Sequence, residues 1–216
     1  MKNLRLKIDL HIHSYYSYDS VITPKDLIFY AKKHGLDAIA VTDHDRIDGA
    51  LKIAKEKDFL IIPGIEVSSL NGHIIGLNVR EVIPAKLGVD ETVDRIHEAD
   101  GIAIAAHPTA LYRGELHKHV TREFDALEVI NASSIPFRFS NYLNRKLAEE
   151  FNLPQTGGSD AHYAPEVGMA YSLVEADLEK EEIIAAIKNG KVKACGKAIP
   201  WLMRLKREVL NLKMVK

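Results

Sequence analysis

The sequence predicts an α/β protein, a barrel of about seven strands in a single domain covering residues 1–216. Three observations predict it. Short continuous apolar runs alternate with segments of helical periodicity, the pattern of strands in a parallel sheet covered by helices. No glycine-rich nucleotide turn follows the first run, so the strongest mark of an open doubly wound sheet is missing. Polar residues able to bind metals follow almost every apolar run instead of clustering after one. A closed ring collects groups from all its strand ends in this way.

Taken in order, Leu4, Leu6, Ile8, Leu10 and Ile12 alternate with Asp9, His11 and His13. Successive side chains of a strand point to opposite faces, so this is a strand with one apolar face and one carrying a carboxylate and two imidazoles. A tyrosine-rich loop follows to Thr23. Thr23-Pro24 then supplies an N-cap and first-turn proline for a helix that stops at His34-Gly35. Asp37–Val41 reads as the second strand, about 49–57 as a helix, and Phe59–Val67 as the third strand. Asn71-Gly72 marks a hairpin whose return strand is 73–77. Residues 89–99 are helical and Gly101–Ala106 is a fourth strand. Ala126–Ile130 is a fifth, 139–151 a helix, and 154–158 a sixth strand. Strand 170–174, helix 178–189, a short strand 191–195 and a helix from about 200 to 214 complete the chain.

Composition bounds the function. Hydrophobic residues make up 46% and charged residues 27%, ordinary for a globular chain, and the net charge of -1 provides no global field for gripping nucleic acid. The single cysteine, Cys195, excludes an internal disulfide framework. No run reaches the length of a membrane span, and Lys2, Arg5, Lys7 and Asp9 interrupt any leader-like apolar core. The expectation is a cytoplasmic protein with no membrane partner.

The strand-end residues carry the chemistry. They are His11, His13 and Asp19 after strand one; His44, flanked by Asp43 and Asp45, after strand two; and Glu66 and His73 around the hairpin. His107 follows strand four, Glu128 and Asn131 belong to strand five, and Asp160 and His162 follow strand six. A lone histidine is usually solvated or satisfied in the core. Six imidazoles and three carboxylates on one rim would be costly to bury unpaired. Nitrogen and oxygen ligands without cysteine indicate catalytic metals with open positions.

The motifs Asp-Leu-His-Ile-His-Ser at 9–14, Thr-Asp-His-Asp at 42–45, Pro-Gly-Ile-Glu at 63–66 with His73, Ala-His-Pro at 106–108 and Gly-Ser-Asp-Ala-His at 158–162 occur in one order along most of the chain. In this the chain resembles the PHP (polymerase and histidinol phosphatase) superfamily. The resemblance implies a distorted seven-stranded (β/α)7 TIM-like barrel and a metal-dependent phosphoesterase using two to three divalent metal ions (zinc, manganese or iron). It implies a first metal on His11, His13, Glu66 and Asp160. A second metal would share Glu66 and add His73 and His107, and a third would take Asp19, His44 and His162. The Asp19 loop, Ser17-Tyr18-Asp19-Ser20, departs from the Ser-Asp-Gly frequent in the family.

The reaction this implies is attack of a metal-bridging hydroxide on phosphorus. The substrate is a small phosphate monoester or a nucleotide, with Arg113 and then Arg138 as candidate cations beside the phosphoryl group. Asp9 and Glu128 are expected to orient ligands or pack in a buried polar network, and Asp43 and Asp45 to do the same or to cap a helix. Tyr15, Tyr16 and Tyr18 are expected to pack at the barrel mouth, with base stacking as the alternative. Since histidine ligands must be neutral, activity should collapse well below pH ~6.5. Trp201, Leu202, Leu205, Val209 and Leu212 form an apolar stripe on a basic C-terminal helix, expected to dock on the barrel. The alternatives are a nuclease acting on oligonucleotide ends, a metal amidohydrolase, and a non-catalytic RNA-binding subunit like those of ribonuclease P. Nucleic acid is a possible but unfavoured partner.

Overall fold

Small and β-branched side chains make the shortest strands. Ala38–Val41 and Ile102–Ala105 are buried at every position, as strands covered on both faces must be. The computed structural model describes residues 5–111 and 114–214. Its strands are β1 (Arg5–Asp9), β2 (Ala38–Val41), β3 (Leu60–Ser69), β4 (Gly72–Leu77), β5 (Ile102–Ala105), β6 (Ala126–Asn131), β7 (Gln155–Gly158), β8 (Ala170–Glu175) and β9 (Val192–Gly196). Its helices are α1 (Pro24–Lys33), α2 (Asp48–Ile53), α3 (Val89–Glu98), α4 (Phe137–Phe151), α5 (Lys180–Lys188) and α6 (Trp201–Met214). Thr23 caps α1 by accepting from Asp26 N at 3.2 Å, with Pro24 in the first turn.

All nine strands form one sheet in the order β7-β6-β5-β4-β3-β2-β1-β8-β9. The expected count of seven is therefore corrected to nine. Of the two additional strands, β4 is a hairpin return antiparallel to β3, whereas β9, reached through α5, lies antiparallel to β8. The sheet is also mixed instead of parallel, because β8 runs antiparallel to β1 and β4 to β5. A return strand such as β4 needs only a tight turn, so it widens the sheet without a covering helix of its own.

The ring nearly closes where β7 meets β1. Past the ends of both strands, Asp160 N donates to His11 O at 2.8 Å and His13 N to Ala161 O at 3.0 Å. Lower down, the Ser172 hydroxyl replaces the ladder. It accepts from Gly157 N at 2.9 Å and donates to Gly157 O at 3.0 Å. Leu6, Ile8 and Leu10 pack with Ala38, Ile62, Ile75, Ile104 and the α5 side chains Ile183 and Ile187, whereas Ile12 packs with Ile22 and Leu27 beside α1.

Asp9 stands at the seam where β1 leaves β8 for the β7 extension. It touches no imidazole. Its carboxylate accepts from Ser159 N at 2.8 Å, Gly168 N at 2.7 Å and His11 N at 3.3 Å. Burial pushes its pKa up to about 6, against the pull of these donors. Asp9→Asn turns an amide N–H toward a backbone N–H and should cost about 1–3 kcal/mol, read as a lowered midpoint in urea unfolding at unchanged slope. An unchanged midpoint refutes this role.

The C-terminal helix forms where expected but docks on the opposite face. Trp201, Leu202, Leu205, Val209 and Leu212 point to solvent, and the buried side chain is Arg204. Its guanidinium donates to the carbonyls of Ile199 (3.1 Å), Ser133 (2.9 Å) and Ala132 (2.9 Å). The buried arginine face gives the Ser133 and Ile199 carbonyls a donor and adds a second donor to Ala132 O, which also accepts from Ile199 N at 2.9 Å.

Candidate metal centre

The rim residues converge because strand-end backbone geometry aims them inward. His107 (φ 31°) and Asp160 (φ 53°) both adopt the left-handed region, and neither is glycine. Such conformations cost of order 1–3 kcal/mol each and persist where surrounding structure imposes them. At Asp160 the pairing with His11 and His13 imposes it. At His107 the backbone N–H is held by Glu128 Oε2 at 3.0 Å.

Glu66, fully buried on β3, lies at the centre. Its Oε2 faces His13 Nε2 at 3.1 Å, His11 Nε2 at 3.2 Å and His44 Nδ1 at 3.3 Å. Its Oε1 faces His73 Nδ1 at 2.9 Å and His107 Nε2 at 3.0 Å. Asp160 Oδ1 approaches His13 Nε2 at 3.4 Å and His11 Nε2 at 3.7 Å. Asp19 Oδ2 faces His162 Nε2 at 3.0 Å and His44 Nε2 at 3.4 Å, while Ser17 Oγ steadies its other oxygen at 2.8 Å.

The structure thus gathers the nine residues predicted as ligands on one rim, with His107, expected in the second group, standing against Glu66 Oε1 at 3.0 Å but outside the groups that could share an ion. Three groups have donor atoms close enough to share an ion: His11, His13, Glu66 and Asp160; His13, Asp19, His44 and His162; and His44, Glu66 and His73. His44 differs from expectation, since it presents one ring nitrogen to Asp19 and the other to Glu66 and so stands between two groups.

The donor set fits divalent cations. His11 and His13 turn their Nε2 atoms toward each other at 3.2 Å. Glu66 Oε2, His44 Nδ1 and His73 Nδ1 are buried without a hydrogen bond. Lone pairs converging on shared points ask for positive charge. The electrostatics agree. Burial would raise Glu66, but His11, His44 and His73 outweigh it and hold its carboxyl well below the usual range. Burial would lower His11, but Glu66, Glu128 and Asp160 outweigh it and hold its imidazolium well above the usual range. Burial acts against Asp19 too, and its hydrogen bonds with His162 and His44 keep it strongly depressed. A bound cation would displace the proton held on His11 and supply the same charge.

The supporting residues are equally specific. Glu128 Oε1 accepts from His11 Nδ1 at 3.0 Å, so His11 keeps Nε2 free for the centre. Its Oε2 also accepts from Asn131 Nδ2 at 3.0 Å, and that amide reaches Asp160 Oδ2 at 3.3 Å. Asp43 accepts from Ser14 N and Oγ at 2.6 and 2.7 Å, and Asp45 from Ser68 N at 2.7 Å; neither caps α2. Glu128→Gln would place an amide N–H against the donors around it. It should lower metal affinity 10–100-fold, about the loss typical of such partners, measured by competition with a chromophoric chelator. Unchanged affinity would remove Glu128 from this role.

Sequence reasoning missed Glu166. It is fully buried, accepts from His162 N at 3.0 Å and Tyr163 N at 3.2 Å, and pairs with Arg207 of α6 at 3.4 Å. Asn211 of α6 donates to Asp19 O at 3.2 Å. Glu166 stands alone in a short Ala-Pro-Glu turn, with no periodicity to mark it. Of the expected cations, Arg113 lies outside the described residues, and Arg138 is exposed in the first turn of α4 and is not among the residues lining the cleft.

A cleft of about 500 Å³ opens over the centre, lined by Tyr18, Asp19, His44, His73 and His162 among others. The tyrosines divide. Tyr16 packs against the core as expected, whereas Tyr18 is exposed and stacks on His44, with ring centres 5.4 Å apart.

This fold and rim define a class, an α/β barrel with a buried histidine–carboxylate centre fitted to metals. The PHP domain family matches residues 9–139, and the PHP-associated family matches 138–192. The first match spans more than half of the chain, which belongs to the PHP domain family. An uncharacterised protein of Methanocaldococcus jannaschii is 36% identical over 69% of this chain and 95% of its own. A 5'-3' exoribonuclease of Haemophilus influenzae is 33% identical over 45% of this chain and 38% of its own. A Bacteroides vulgatus structure, a two-domain protein containing a predicted PHP-like metal-dependent phosphoesterase, superposes with a TM-score of 0.72 at 19% identity. It covers 95% of this chain and 69% of that one. Among the described residues, no helix is long and apolar enough to cross a membrane.

Proposed function

We propose that this chain is a metal-dependent phosphoesterase that hydrolyses a small phosphate monoester or a nucleotide. The observation that carries the reading is the Glu66 carboxylate, whose two oxygens face five imidazoles while Asp160 and Asp19 stand on either side. Divalent ions held there supply Lewis-acid charge to a phosphoryl group and lower the pKa of an attacking water. Glu66 shares its oxygens between neighbouring ligand groups, Glu128 sets the tautomer of His11, and Asp160 and Asp19 fix the flanks. The cleft over His44, His73 and His162 admits the ester, and Tyr18 at its mouth offers a flat face to a leaving group.

A second reading is favoured by the exoribonuclease relative and by the exposed Tyr18 ring, which could stack on a base. In it the substrate is an oligonucleotide end. One screen separates the two. Purified protein is assayed for bound metal and for hydrolysis of a phosphate monoester, a phosphate diester and a short oligonucleotide. The first reading expects monoester turnover that a chelator abolishes and added metal restores. Turnover of the oligonucleotide alone selects the second, and metal-replete protein inactive on all three refutes both.

A further inference from the structure

The inner face of α6 makes contacts that the proposed reaction leaves unused. Arg204, Arg207 and Asn211 are spaced by three and four residues, so helical geometry stacks them along one face. Arg204 fixes the start of the helix to the segment after β6, through the carbonyls of Ala132 and Ser133. The next two turns reach the metal centre. Arg207 Nη1 donates to both oxygens of Glu166 at 3.4 Å, and Asn211 Nδ2 donates to Asp19 O at 3.2 Å.

Each of these contacts falls on a segment that carries one predicted ligand. Glu166 Oε2 holds the backbone N–H of His162 at 3.0 Å and of Tyr163 at 3.2 Å, so its position sets that of the His162 turn. The Asp19 carbonyl belongs to the loop whose carboxylate meets His162 Nε2 at 3.0 Å. The two segments are also tied to each other, because Val21 N donates to His162 O at 3.2 Å. A fully buried carboxylate needs a counter-charge as well as N–H donors. Among the described residues, Arg207 is the cation that pairs with Glu166. Without it the carboxylate is drawn toward water, and His162 with it. The ligands around Glu66 are braced differently. Glu128 of β6 holds His11, and Asn131 of β6 reaches Asp160, both from within the barrel.

We propose that Arg207 and Asn211 are positioning residues for the metal group of His13, Asp19, His44 and His162, with α6 strapping the Asp19 loop and the His162 turn together. The inference rests on the rim being a metal centre and is independent of the substrate. Both hydrogen bonds to Glu166 come from one nitrogen, so the guanidinium acts there as a point charge that lysine can replace. The coupling is reciprocal. A docked α6 that raises the affinity for an ion in this group is held down by that ion to the same degree.

The test titrates the full chain, stripped by a chelator, with Mn²⁺, and reads free Mn²⁺ from its electron paramagnetic resonance signal. Asp19→Ala identifies the class of sites concerned by removing it. Arg207→Met and Asn211→Ala should each weaken that class about 10–100-fold and leave the rest of the isotherm in place. Arg207→Lys should restore the affinity, and Leu205→Ala, on the exposed face, should match the wild type. Hydrogen exchange of the 204–211 amides should slow when Mn²⁺ is added to the wild type, but not when it is added to Asp19→Ala. Asn211→Ala leaves no charge unpaired, so it keeps the test decisive even if Arg207→Met fails to fold. Wild-type Mn²⁺ binding that the α6 variants leave untouched overturns this inference alone. So does a loss spread evenly over all Mn²⁺ sites, or a failure of lysine to restore the affinity. No Mn²⁺ binding by the wild type overturns it together with the metal centre.

Discussion

Glu66→Gln should leave the protein folded, empty most of its metal, and lower kcat/KM on a phosphate monoester on the order of 10³-fold. The magnitude follows from charge. Metal ions contribute several kcal/mol of transition-state stabilisation, and about 4 kcal/mol is roughly a thousandfold in rate. Both Glu66 oxygens face imidazoles, so one substitution weakens every ligand group that shares them. Folding is spared because the only hydrogen bond described for this carboxylate is the one to His107 Nε2. Metal analysis, steady-state kinetics and a thermal scan in chelator check the three parts. Full metal content in the variant would refute the central place given to Glu66.

Gly158→Ala should damage the fold and the centre together. A Cβ there would lie 2.4 Å from His11 Cβ, 2.7 Å from Glu128 Oε1 and 3.0 Å from His11 N. Two of these contacts are with the β1 extension that closes the ring, so relief means opening the seam. Overpacking of this kind costs about 1–3 kcal/mol, a fall of roughly 2–12 °C in Tm for a chain of this size. Calorimetry in chelator isolates the fold, and metal titration reads the displacement of His11. Gly88→Ala is the control, since a Cβ there meets nothing within 4 Å. A variant that matches Gly88→Ala in both readouts would show that the seam is more yielding than its packing implies.

The nine rim residues were legible because metal binding draws on few residue types. Imidazole and carboxylate are the types such chemistry favours, and most of the nine stand at or beside the end of an apolar run. Alternation in β1 and the Asn71-Gly72 turn likewise follow from local geometry. The strand count was less legible, because the segments at 73–77 and 191–195 read as strands but only tertiary pairing decides that they join the same sheet. Of the two roles expected for Asp9, orienting a ligand or packing in a buried polar network, the backbone N–H groups of residues 11, 159 and 168 that it accepts from fit the second, and no local pattern marks such partners.

The sequence by itself determined the barrel class, the resemblance to the PHP family and the nine residues that meet at the rim, because periodicity and donor chemistry act along the chain. Tertiary structure alone decided how those residues are shared. It set His44 between two groups, gave His11 to Glu128, and brought Asn211 in from a distant segment. It also decided which face of α6 is buried. Amphipathicity pointed to the apolar stripe, but the buried face is the one from which Arg204 donates to the carbonyls of residues 132, 133 and 199, partners that no pattern along the chain reveals.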